Sequence, residues 1–179
     1  MTQPMRPDVQ RWYERRTYSG TAWRPADLVD RKGDATISVV LPAHNEAATV
    51  GGIVSSLRRE FMQRMPLIDE VVVVDSRSAD ATCSVATAAG ARVVSADALL
   101  PEHGAVPGKG EALWKSLHAV SGDIVVFLDA DLDELPYQFV PGLLGPLLAD
   151  ASISYVKAAY DRPLLPGTGI AAGSGGRVT

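Results

Sequence analysis

The chain has 179 residues, 46% hydrophobic and 21% charged, which is enough for one domain with a real core and too little for two of ordinary size. With 17 basic and 21 acidic residues the formal net charge is −4, so there is no electrostatic footprint for holding nucleic acid by its phosphates. The longest apolar runs, 71–74 and 124–128, fall far short of the roughly 20 residues that a membrane span requires, and no membrane span is expected. The opening MTQPMRPDVQRWYERR has basic residues with no apolar stretch behind them, so a cytoplasmic protein is the expectation. The single cysteine, Cys83, sits among alanines and threonines and reads as a small half-buried side chain rather than a nucleophile.

Residues 1–35 form an N-terminal arm. Pro4, Pro7 and Pro25 interrupt it, Trp12, Tyr13, Tyr18 and Trp23 are scattered along it, and Arg11, Arg15 and Arg16 cluster; a short helix that packs onto something is expected. Residues 37–41 are a β-branched strand stopped by Pro42, followed by a helix over 47–59 with Val50, Ile53, Val54 and Leu57 at helical spacing. A second strand, 71–74, ends in Asp75, and a small-residue helix over 79–89 is closed by Gly90. Residues 92–95 read as a third strand and 96–108 as a loop. A helix over 111–120 places Leu113, Leu117 and Val120 inward, and 124–128 is a fourth strand. Residues 143–148 lie in a helix interrupted by Pro141 and Pro146, and 153–156 read as a fifth strand.

Short apolar strands alternating with helices imply right-handed crossovers and an α/β domain over 36–165, a mostly parallel sheet flanked by helices. In such sheets the ligand crevice lies beyond the carboxyl ends of the strands. Residues 166–179, PGTGIAAGSGGRVT, contain five glycines and no core element; a loop of this kind normally leads into further structure, and the chain is expected to be truncated relative to a longer protein.

Three motifs fall at strand ends. Asp129-Ala130-Asp131 follows the fourth strand, and extended geometry puts residues i and i+2 on one side, so that both carboxylates can converge on a hard cation such as Mg2+ or Mn2+ that bridges to a diphosphate. Pro42-Ala43-His44-Asn45-Glu46 follows the first strand. There Glu46 is placed to accept from a ribose or a base, while Asn45 reads as a helix N-cap. Asp75-Ser76 occupies the matching place after the second strand, with Ser78 and Asp80 behind it. In Pro107-Gly108-Lys109-Gly110-Glu111-Ala112-Leu113 two glycines allow close backbone approach, and Lys109 sets a cation at a helix N-terminus that already favours anions. This is not a phosphate-binding P-loop, and no Gly-x-Gly-x-x-Gly follows the first strand. His103 and His118 share no metal-ligand spacing with His44 and read as surface residues. Gly175-Gly176-Arg177-Val178-Thr179 offers backbone amides, a guanidinium and a hydroxyl to an anion.

With these residues assembled, the chain resembles the nucleotide-sugar glycosyltransferases of the GT-A fold, and more narrowly the N-terminal half of the actinobacterial glucosyl-3-phosphoglycerate synthases. The Pro-Ala-x-Asn-Glu, Asp-Ser and Asp-x-Asp order carries the general likeness. Pro107 to Trp114, the aromatic and Arg-rich arm, and the terminal Gly-Gly-Arg-Val-Thr carry the narrower one. The resemblance implies a metal-dependent hexosyltransferase that moves glucose from UDP-glucose, or another nucleotide sugar, to 3-phosphoglycerate with retention of configuration. It places Pro42, Ala43, His44, Asn45 and Glu46 with Ser76 around the uracil and ribose, Lys109 on the nucleotide or sugar, and Asp129 and Ala130 on the sugar and ribose. Asp131 would hold the divalent metal, and Gly176, Arg177, Val178 and Thr179 the acceptor. His44 stands where such proteins usually carry leucine, and Arg77 where they more often carry glycine. The resemblance also implies a homodimer. The alternatives are transfer to a different acceptor, such as a polyprenyl phosphate, transfer of mannose, or a truncated nucleotide-binding module without turnover. No catalytic base or nucleophile is assigned.

Overall fold

The computed structural model describes residues 5–105 and 108–159. Four strands, β1 (Ile37–Ala43), β2 (Glu70–Asp75), β3 (Arg92–Ser95) and β4 (Ile124–Phe127), form one parallel sheet in the order β3-β2-β1-β4. Every residue of the central β1 is buried, which is why it reads as a continuous apolar run rather than an alternating one. Side-chain alternation still sorts its two faces. Val39 and Leu41 of β1, with Val71 and Val73 of β2, enter the larger core with Val50, Ile53, Val54 and Leu57 of α3 (Val50–Arg58). Val40, Val72 and Val74 meet Ala112 of α5 (Lys109–Ser116) on the opposite face. The β1-to-β2 and β2-to-β3 connections run through α3 and through α4 (Thr82–Ala88). From β3 the chain returns past β2 and β1 through α5 to β4. The strand order therefore reverses between β1 and β4, and that gap is where parallel sheets of this kind leave a crevice.

β1 runs on through Pro42, two residues beyond the expected end. Leu128 N–H donates to the Val40 carbonyl and Ser76 N–H to the Ala43 carbonyl, so even-numbered residues of β1 face β4 and odd-numbered ones face β2. The missing donor of Pro42 thus points to the side where β4 has already ended opposite Val40, and no ladder bond is lost.

Several expected elements shift. α3 begins at Val50 because residues 46–49 form a tight turn, with Thr49 and Val50 N–H both donating to the Glu46 carbonyl. A π-helical segment, Arg59–Arg64, then carries it further than expected. Asn45 does not cap this helix, since its Oδ1 accepts from Ala79 N–H at 2.8 Å in the turn after β2. α4 starts at Thr82, whose N–H donates to Asp80 Oδ1 at 3.0 Å. Gly90 closes it at φ +95°. The fifth strand over 153–156 does not form: Ile153 N–H donates back to the Asp150 carbonyl in a turn, and Tyr155 is 78% exposed. α5 ends at Ser116 and turns a different face inward, with Glu111, Ala112, Lys115 and Ser116 buried and Leu117 52% exposed, while Val120, beyond its end, packs inward as expected. A salt-bridged pair one helical turn apart occupies the inner positions that apolar spacing would assign to leucine.

The arm holds two helices, α1 (Pro7–Arg16), which buries no residue, and α2 (Pro25–Lys32), which buries Leu28 against α6 (Phe139–Ala149). α6 is continuous through both prolines. Pro141 lies in the first turn, where its N–H would have no partner, and only Pro146 is interior. The close fit of the arm depends on Gly145, where an added Cβ would lie 2.1 Å from the Trp23 ring. Gly145→Ala gains about 1 kcal/mol of helix propensity, whereas displacing a packed indole costs typically 1–3 kcal/mol. A net loss in thermal stability is the expected result, and a variant that melts at or above the parent temperature would show that the ring is not fixed.

Candidate functional site

A cleft of about 410 Å³ opens at the carboxyl ends of β1 and β2, lined by Pro42, Ala43, His44, Glu46, Ser76, Arg77, Gly108, Lys109, Ala112, Ala130 and Asp131. That volume suits a small-molecule ligand. Of the described residues expected at a nucleotide-sugar and metal site, all but Asn45 and Asp129 line it. Gly108 lines it too, as the close approach expected of its motif requires, whereas Arg77 and Ala112 are additions that the sequence does not assign to the site. The proposed acceptor residues Gly176, Arg177, Val178 and Thr179 lie outside the described residues, as does Pro107.

The floor of the cleft is two turns pinned to each other. His44 Nδ1 lies 2.6 Å from the Ser76 carbonyl oxygen, which can only accept, so Nδ1 carries the proton and Nε2 accepts from Asn45 Nδ2 at 3.2 Å. Asn45 N–H donates to Ser78 Oγ at 2.9 Å, and Asp75 Oδ2 accepts from Ser78 N–H at 3.2 Å. Glu46 N–H donates to Thr82 Oγ1 at 2.8 Å and Ala47 N–H to Asp80 Oδ2 at 3.2 Å. Asn45 and Arg77, one in each turn, take the left-handed conformation at φ +59° and +62°, a cost that such a cross-braced pair of turns can hold. Burial comes first in raising the pKa of the Cys83 thiol behind this floor, with the Asp75 and Asp80 carboxylates adding to it. These surroundings favour the neutral thiol over the thiolate.

The acidic turn after β4 forms one wall. Thr49 Oγ1 donates to the Ala130 carbonyl at 2.6 Å and anchors this turn to the start of α3. β4 ends at Phe127, before the motif, and the two carboxylates separate: Asp129 pairs with Lys109 at the start of α5, while Asp131 faces the cleft. Arg77 likewise pairs with Asp97. Both cations at the cleft thus face carboxylates, whereas Glu46 and Asp131 enter no ion pair among the described residues. With the partner carboxylates Asp97, Glu111 and Asp129 counted, the described part of the cleft carries a surplus of negative charge that would repel a bare diphosphate.

No cluster of three or more metal-ligating side chains occurs among the described residues. Asp131 alone still fits a hard divalent cation of the Mg2+ type, which is commonly held by one or two carboxylates together with substrate phosphates.

The family model for glycosyl transferase family 2 matches residues 38–163, which include all of the sheet but its first residue, Ile37, and every cleft residue. The chain belongs to glycosyl transferase family 2. Among similar members of known role, the glucosyl-3-phosphoglycerate synthase of Mycolicibacterium smegmatis is 47% identical over 169 residues, 94% of this chain and 55% of that protein. The crystal structure of mannosyl-3-phosphoglycerate synthase from Rubrobacter xylanophilus matches with a TM-score of 0.75 at 40% identity, over 78% of this chain and 45% of that one. The Mycobacterium tuberculosis glucosyl-3-phosphoglycerate synthase in complex with Mn2+, uridine diphosphate and phosphoglyceric acid matches at 0.64 and 52% identity, over 71% of this chain and 44% of that one. The fold is therefore the GT-A-like glycosyltransferase fold. The chain spans about half the length of the curated relatives it matches. Among the described residues no helix is long and apolar enough to cross a membrane.

Proposed function

We propose that this family 2 chain carries the donor-binding half of a glucosyl-3-phosphoglycerate synthase, taking UDP-glucose and a divalent cation in the cleft for transfer of glucose to 3-phosphoglycerate. The observation that carries the reading is the convergence of Pro42, Ala43, His44, Glu46, Ser76, Lys109, Ala130 and Asp131 on one cleft at the strand-order reversal. The kinship of this chain to synthases of that activity over 94% of its length supports the substrate class. In this reading Pro42, Ala43, His44, Glu46 and Ser76 receive the uridine, and Lys109 approaches the diphosphate once Asp129 turns to the sugar. Asn45 acts from behind by bracing the floor.

Transfer breaks the bond from the anomeric carbon to the diphosphate oxygen, releasing UDP, and makes one to the single free hydroxyl of 3-phosphoglycerate, whose proton passes to the departing diphosphate or to water. Negative charge grows on the departing diphosphate, and a cation held by Asp131 would supply Lewis-acid compensation there. Arg177, with the amides of Gly176 and Val178 and the Thr179 hydroxyl, is proposed to receive the phosphate and carboxylate of the acceptor. A homodimer and a cytoplasmic setting belong to the same reading.

Calorimetry with UDP, followed by an assay for UDP release, tests it. UDP is expected to bind with Mn2+ present and at least tenfold more weakly in EDTA, and UDP-glucose turnover is expected to require 3-phosphoglycerate. Preference for a polyprenyl phosphate acceptor or for GDP-mannose would overturn the substrates. Metal-dependent UDP binding without turnover would reduce the chain to a nucleotide-binding module.

A further inference from the structure

Arg77 occupies the left-handed region at φ +62° without glycine's freedom. Its Nε donates to Asp97 Oδ2 at 2.9 Å and its Nη2 to Asp97 Oδ1 at 2.6 Å, a two-pronged pair. Nη2 also reaches Glu111 Oε2 at 3.3 Å. Asp97 lies in the 3-10 turn Ala96–Ala98 after β3, and Glu111 in the first turn of α5. One side chain therefore joins the turn after β2, the turn after β3 and the helix that begins with Lys109. Ser76, its neighbour, holds the other brace through the His44 bond.

The guanidinium faces two carboxylates, so it adds no uncompensated positive charge with which to attract a diphosphate. Its geometry serves placement. We infer that Arg77 is a positioning residue of the donor cleft: it clamps the turn after β2 against the start of α5, so that Ser76 on the floor and Lys109 at the start of α5 are held in place relative to each other. The inference rests on the reading of this cleft as a nucleoside diphosphate site, and its test is built to separate the two.

UDP affinity with Mn2+ and amide hydrogen exchange would be measured on the same 179-residue chain and on three variants. Arg77→Gly keeps the left-handed turn accessible but removes the clamp. It should weaken UDP by about tenfold and speed exchange at residues 76–79 and 109–112. Asp97→Asn leaves the arginine in place and loosens its grip, and the same amides should exchange faster with a smaller loss of affinity. Arg77→Lys retains charge without the planar fork and should fall between the parent and the glycine variant. A glycine variant that matches the parent in either affinity or exchange overturns the clamp. An Asp97→Asn variant with parental affinity and exchange would likewise overturn it, by assigning Arg77 a direct ligand contact instead. If the parent itself binds no UDP, the donor-cleft reading falls, and the exchange data alone decide whether Arg77 ties the turn to α5.

Discussion

Asp131→Asn is expected to reverse the response of UDP affinity to substitution according to whether a divalent cation is present. With Mn2+ the variant should bind UDP at least tenfold more weakly than the parent, a loss of about 1.4 kcal/mol or more. In EDTA it should bind as well as the parent or better. The opposite signs follow from the charges at the cleft. Lys109 and Arg77 are each engaged with a carboxylate, and Asp131 is part of the uncompensated negative charge facing the ligand. Without metal, removing that charge relieves repulsion of the diphosphate. With metal, the same carboxylate is the proposed protein ligand of the cation, and its amide is a poor substitute for a hard ion. Asp129→Asn supplies the contrast. It frees Lys109, so metal-free UDP affinity should rise and the metal response should remain. Calorimetric titrations of both variants with and without Mn2+ separate these cases, and an Asp131→Asn protein that keeps the parental metal response would remove Asp131 from the metal site.

The sheet could be read from the sequence because its two central strands, β1 and β2, are buried on both faces and announce themselves as apolar runs, as Val71 to Val74 does before Asp75. The same rule misplaced residues 153–156, where an apolar pattern is present but the backbone turns at Ile153 and forms no ladder. The cleft motifs were legible because parallel strand ends gather loops far apart in sequence on one edge. What periodicity could not show is which partner each polar side chain takes. Asn45 has the chemistry of an N-cap and spends it across the floor on Ala79. Asp129 and Asp131 stand two apart, yet β4 stops before them and Lys109 draws one aside. Arg77 looked like a departure from the motif, and only the position of Asp97, twenty residues along, gives it a role. The sequence signal closest to the buried pair in α5 was the spacing of Glu111 and Lys115 by one helical turn, which is more commonly a solvent-exposed pair.

That buried pair underlies the largest stability effect expected in this fold. Lys115 is 1% exposed, and its Nζ lies 2.9 Å from Glu111 Oε1, whose side chain is 2% exposed. The ammonium also donates to the Gly104 carbonyl at 2.7 Å and the Ala96 carbonyl at 3.3 Å, so all three of its donors have acceptors. Lys115→Met fits the space but removes the ammonium from the Gly104 carbonyl, leaves the Ala96 carbonyl with Leu99 N–H at 3.3 Å, and leaves Glu111 with a more distant cation, Arg77 at 3.3 Å. Breaking a buried pair from one side costs about 3–5 kcal/mol, and the remaining Arg77 contact places the expectation near 3 kcal/mol. For a chain of this size that lowers the melting temperature by roughly 6–12 °C. Because replacing both members of a buried pair with apolar residues is often neutral, Lys115→Met with Glu111→Leu should recover part of the loss. Thermal denaturation of the two single variants and the double variant measures the coupling. Strict additivity would mean that Lys115 is held by the carbonyls of the 96–104 segment rather than by Glu111. Since α5 also presents Lys109 to the cleft, the single Lys115 variant should lose UDP affinity in step with its stability, linking the core of this helix to the wall it supplies.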